Sequence, residues 1–228
     1  SFSPHHVGGT CFQWKWLTPG NVVLVIVGNL DQRSLLKEVV KRYQGFPKKQ
    51  TPSSESRCSS IKRGFKYSVL QGDIHQSWVQ IGFPIPGAFT QDWYACKVLE
   101  AVLTRGQTAF LNQPLRMGKP MTHRISSRSF VFNNVGLLNL TLVLDSENID
   151  RAEVLTFAQI ERIKSGFLTD LDLQRARALL EAEYYVNQES LLDLAFQLAR
   201  YEHLSNFHEW RDYLKKIRSV TRQQVISV

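Results

Sequence analysis

The sequence has few cysteines, no long apolar run and no glycine-rich loop, and each shortage excludes a class of protein. Cys11, Cys58 and Cys96 are widely spaced, odd in number and free of any C-x-x-C pairing. That pattern argues against a disulfide framework and against a thiolate zinc site, and it leaves the redox compartment open. The longest apolar run, Val22 to Val27, falls far short of the roughly 20 residues a helix needs to cross a bilayer. No membrane span is expected. The run does lead into a turn and a helix, but Gly28-Asn29-Leu30-Asp31 offers one glycine where a pyrophosphate-binding loop requires three.

What is present fits an ordinary globular chain. Of the 228 residues, 43% are hydrophobic and 21% charged, enough to bury a sizeable core. The net charge of +8 and pI near 9.5 would suit an anionic partner. The basic residues gather at Lys48-Lys49, in Arg57 to Lys66 and around Lys215, Lys216 and Arg218, without any nucleic-acid motif. A solvated basic surface is therefore expected, and no nucleic-acid partner.

Along the chain, Asn21-Val-Val-Leu-Val-Ile-Val-Gly28 reads as a buried strand. Asp31 is a natural N-cap for a helix with Leu35, Leu36, Val39, Val40 and Tyr43 at helical spacing, ended by Gly45 and Pro47. Lys48 to Ser60 has the composition of an exposed loop. Tyr67 to Leu70 and Ser77 to Phe83 read as strands, the second stopped by Pro84 and Pro86-Gly87. Thr90 caps a helix to about Thr104, with Gly106 at its exit, and Phe110 to Met117 reads as a short helix. Arg124 to Phe132 and Val135 to Leu144 form strands about an Asn133-Asn134 turn. The rest is helical: Ile149 to Lys164, a second helix opened by the capping box Thr169 to Asp172, Leu191 to His203, Phe207 to Ile217, and a last helix capped by Thr221 and Gln224.

This order predicts an α+β fold: a two-layer sandwich with a mixed, mostly antiparallel sheet, helices on one face and a helical carboxy-terminal part. Several stretches go further. Pro19-Gly-Asn21-Val-Val-Leu-Val-Ile-Val-Gly28, then Val79 to Phe83 with Pro86-Gly87 and Asp92, then Phe110-Leu111 with Leu115-Arg116, Thr169 to Ala178, and Val220-Thr221 with Gln224-Val225 occur in sequence. Together they resemble the second domain of a half of the pitrilysin/insulinase-type zinc metallopeptidases, the family of insulin-degrading enzyme and mitochondrial processing peptidase. The resemblance implies a single domain over residues 1–228, cut short at both ends relative to the family's half.

Cleaving members of that family carry H-x-x-E-H, in which two histidines on one helical face hold zinc and the glutamate activates water. The histidines here are His5, His6, His75, His123, His203 and His208, and none has the required partner. The resemblance thus implies a non-catalytic domain with no catalytic residue or metal ligand of its own. The zinc is expected in a partner half, on the same chain or a separate one, and the substrate is a peptide or unfolded protein. In the family the non-catalytic side contributes an arginine and, seven residues on, a tyrosine toward the scissile carbonyl. Arg116 stands at the arginine position and His123 at the tyrosine position. An imidazole can still donate a hydrogen bond, although its charge varies with pH as a phenol's does not. Glu181 and Glu183, two apart, fall on different faces of a helix and make no acid/base pair. Two other readings compete: a structural scaffold derived from the same fold, and a basic nucleic-acid-binding module, which requires the positive residues to share one face.

Overall fold

The computed structural model describes residues 19–45, 64–117, 120–132 and 134–228. The loop from Lys48 to Ser60, Cys11, Cys58, His5 and His6 lie outside the described residues. Within them are eight α-helices and one three-stranded sheet: α1 (Gln32–Tyr43), β1 (Ser77–Pro86), α2 (Gln91–Thr104), α3 (Asn112–Arg116), β2 (Thr122–Val131), β3 (Val135–Leu144), α4 (Ile149–Arg162), α5 (Asp170–Glu189), α6 (Leu191–Leu204), α7 (His208–Ser219) and α8 (Arg222–Ser227). The strand order is β1-β3-β2 and every pairing is antiparallel.

The central strand, β3, is the most apolar of the three. Leu138, Leu140, Leu142 and Leu144 point to the helices and are almost completely buried. Against them lies α2, whose residues Ala95, Val98, Ala101, Val102 and Leu103 lose nearly all contact with solvent. Each fully buried leucine or valine contributes about 1.5–3 kcal/mol relative to exposure. The opposite face of the sheet carries no helix among the described residues. There Trp78 and Gln80 on β1 and Arg124, Ser126 and Arg128 on β2 are exposed.

Most helix starts follow from local side-chain chemistry. Thr90 accepts a hydrogen bond from the Trp93 amide at 3.2 Å, and Asp31 accepts from that of Ser34 at 2.9 Å. Thr169 with Asp172, and Thr221 with Gln224, form reciprocal capping boxes that open α5 and α8. The end of α4 widens into a π-turn over Ile163–Phe167, closed by Gly166 at φ 86°, a conformation that favours glycine. The helical tail docks on α2 and the turn before it through rings, with Tyr94 of α2 6.3 Å from Tyr213. Tyr184 lies 4.4 Å from Trp210 and 5.9 Å from Tyr213, while Phe89 lies 5.1 Å from Tyr201.

Five expectations are corrected. Val22 to Val27 joins no strand ladder, and Val23 is 49% exposed. An apolar β-branched run favours extended backbone, but a neighbouring strand must supply the ladder, and none lies beside this run among the described residues. Tyr67 to Leu70 is likewise unpaired, with Leu70 93% exposed. The apolar stripe of α1 has no buried residue. Strand β1 does not stop at Pro84 but runs to Pro86; it is an edge strand, where a missing amide hydrogen costs no ladder bond. Finally, the short helix begins at Asn112 rather than Phe110, because the amides of Phe110 and Leu111 donate instead to the carbonyls of Val102 and Leu103 at the end of α2.

Candidate functional site

Arg116 ends α3 and His123 lies near the start of β2, and both are exposed. Their backbones are tied together through their buried neighbours. The Leu115 carbonyl accepts from the Met121 amide at 2.9 Å and from the Thr122 hydroxyl at 3.2 Å. Leu115 is fully buried and Thr122 nearly so, so each candidate adjoins one end of a sequestered stitch between α3 and β2.

A register shift then sets the direction of His123. Thr122 pairs with Leu144 and Arg124 with Val143, which leaves His123 as the extra residue of a β-bulge. In consequence His123 and Arg124 are both exposed, between buried Thr122 and Ile125. The His123 Nε2 atom lies 3.1 Å from Oδ1 of Asp145, the residue that follows β3. Arg116 makes no ion pair among the described residues. The pair therefore offers a guanidinium without an ion pair among the described residues and an imidazole whose Nε2–H is given to Asp145, so that its Nδ1 donates to a developing negative charge only when the ring is protonated.

The other titratable groups are structural. Glu100 is 2% exposed and accepts from Ser129 Oγ at 2.5 Å and from Lys97 Nζ at 2.8 Å, with Arg105 at 3.4 Å. Burial pushes its pKa up, but Lys97, Ser129 and Arg105 together hold it below the ordinary value. Glu181 pairs with Arg218, and Glu183 with Arg105. Cys96 is buried, and burial with neighbouring Asp92 and Glu100 raises its thiol to about 11. His203 and His208 occupy different helices, α6 and α7, separated by the break at Ser205. No group of three or more His, Cys, Asp or Glu that could hold a metal occurs among the described residues. Among the described residues the donor set does not fit a peptidase zinc.

Three features were not read from the sequence: the Asp145 partner, the bulge, and the position of Arg124 over Trp78 with a guanidinium-to-ring distance of 5.4 Å. The alternation in β1 and β2 held the only signal, since it put these residues on the face away from the core.

A helix-backed antiparallel sheet followed by a helical tail defines an α+β domain. Residues 10–180 match the model of the peptidase M16 inactive domain, and the chain belongs to that family. It is 21% identical over 224 residues to the zinc protease PqqE of Helicobacter pylori, covering 95% of this chain and 50% of that protein. A solved Helicobacter pylori protease superposes with a TM-score of 0.81 at 17% identity, over 100% of this chain and 55% of that one. A chain of complex III2 from Candida albicans, with Inz-5 bound, gives a TM-score of 0.78 at 15% identity, over 95% of this chain and 53% of that one. The chain thus spans about half the length of the curated relatives it matches. It is an inactive M16 peptidase domain of the kind found in zinc-protease-type proteins, and inactive M16 domains generally pair with a catalytic half. Among the described residues no helix is long and apolar enough to cross a membrane.

Proposed function

We propose that this domain binds peptide or unfolded-protein substrate and completes a cleavage chamber whose zinc is held by a partner half, on the same polypeptide or a separate subunit. The observation that carries the reading is the joint exposure of Arg116 and His123 on elements stitched together at Leu115 and Thr122. Zinc in the partner half supplies the activated water. This chain supplies fixed donors to the carbonyl oxygen as charge develops there, each worth roughly 2.7–4 kcal/mol in a water-excluded site. The outer edges of β1 and β2 have no strand partner among the described residues and can take an extended substrate as a further strand.

The test is to assay the zinc-bearing half for cleavage of an unfolded peptide with and without this chain. The expected result is turnover that rises with added chain and saturates. Equal turnover in both cases removes the functional role and leaves a scaffold.

A further inference from the structure

The helix-free face of the sheet has a chemistry of its own. No residue of the three strands is acidic, yet β2 places Arg124 and Arg128 on the same exposed face. Neither arginine makes a salt bridge or a hydrogen bond among the described residues. Both are instead held by rings. Arg124 reaches over Val143 to lie over Trp78, with its guanidinium carbon 5.4 Å from the ring centre, and Arg128 lies 5.8 Å from the ring of Phe130, both within cation–π range. Trp78 is 54% and Phe130 47% exposed.

A guanidinium drawn to a ring by cation–π attraction keeps its N–H groups available, the arrangement suited to bidentate recognition of a carboxylate. Four residues of strand separate the two arginines by about 13 Å. That is also the span between residues i and i+4 of an extended peptide. We infer that the helix-free face, through Arg124 and Arg128, selects extended polypeptide segments carrying acidic side chains at such a spacing, flanked by apolar residues that cover Trp78 and Phe130. The inference rests on the substrate-binding role proposed above and names the class of segment that role takes.

A peptide is favoured over a nucleic acid because the basic cluster of the described carboxy-terminal helices does not lie on this face. Lys216 and Arg218 lie on α7, engaged by Glu209 and Glu181. A second copy of the chain is disfavoured by charge, since the face carries two cations and no anion.

The experiment measures binding of labelled extended peptides to the 228-residue chain by fluorescence anisotropy. One peptide carries glutamates at i and i+4 among apolar residues, a second carries glutamines there, and a third lysines. The glutamate peptide should bind at least tenfold more tightly than the glutamine one, and the lysine one most weakly. R124Q with R128Q should abolish the preference, whereas R211Q with K215Q, the same loss of charge on exposed positions of α7, should leave it unchanged. Binding that ignores peptide charge and both arginines overturns the inference but leaves the substrate-binding role. Absence of binding to every peptide overturns both. The inference also fails if a single-stranded oligonucleotide binds in preference to the glutamate peptide, if sedimentation shows self-association that R124Q with R128Q relieves, or if the zinc-bearing half covers these arginines.

Discussion

Ser129 on β2 donates a 2.5 Å hydrogen bond to Oε2 of Glu100 on α2, fastening the sheet to its principal helix through a buried carboxylate. Lys97 and Arg105 complete the set. Replacing Glu100 with Gln keeps the volume but removes the charged acceptor, and it should cost about 1–3 kcal/mol, the penalty for leaving buried donors unsatisfied. Urea denaturation should show a lower midpoint at an unchanged m-value.

The same carboxylate makes stability depend on pH. Its folded pKa is held below the ordinary value of 4.5, so its contribution is complete above that value and is lost as pH falls through the depressed one. Tm should therefore decline on the acid side faster in the parent than in E100Q, and the gap between them should narrow. Parallel Tm curves down to the acid limit would count against this assignment.

Gly136 is buried on β3 opposite Ile85, and a Cβ there would stand 2.8 Å from Ile85 Cγ1 and 3.0 Å from the Phe130 carbonyl oxygen. Gly136→Ala should destabilise by about 1–3 kcal/mol through overpacking. Because Ile85 supplies the nearest contact, adding Ile85→Ala, which removes both Cγ1 and Cδ1, should cost less in the Gly136→Ala background than alone, a coupling that a double-mutant cycle reads.

Trp210 joins three helices, with Tyr184 at 4.4 Å, Tyr201 at 5.3 Å and Tyr213 at 6.0 Å. Trp210→Ala should cost about 3–5 kcal/mol. Trp210→Phe should cost less, because it keeps a ring in the cluster, and calorimetry of the two variants separates ring loss from indole loss.

The fold was legible where the deciding chemistry is local. Thr90, Thr169 and Thr221 cap helices through contacts three residues away, and the paired strands β2 and β3 end at Val131 and begin at Val135, while Asn133 of the expected turn lies outside the described residues. In β1, neighbouring Val79 and Trp78 take opposite faces, the first buried and the second exposed, as the period of a strand requires. Covering was not legible. The run at Val22 has the composition of a buried strand, but its pattern cannot say what lies over it. Arg116 and His123 were found through a resemblance, because seven residues separate them and nothing local distinguishes them. The Asp145 partner depends on strand register across 22 residues, and a one-residue bulge decides which way His123 faces.

The central claim, that this domain reaches the reaction from the side opposite the zinc, is read most directly by the turnover of the assembled enzyme carrying Arg116→Ala, with assembly measured in parallel. The account predicts a fall in kcat of about a hundredfold or more with KM little changed, the cost of one lost donor to the developing oxyanion. It also predicts that His123→Tyr, which restores the family's phenol, keeps activity. Full turnover by an intact assembly carrying both substitutions would contradict it and leave these residues as ordinary surface positions.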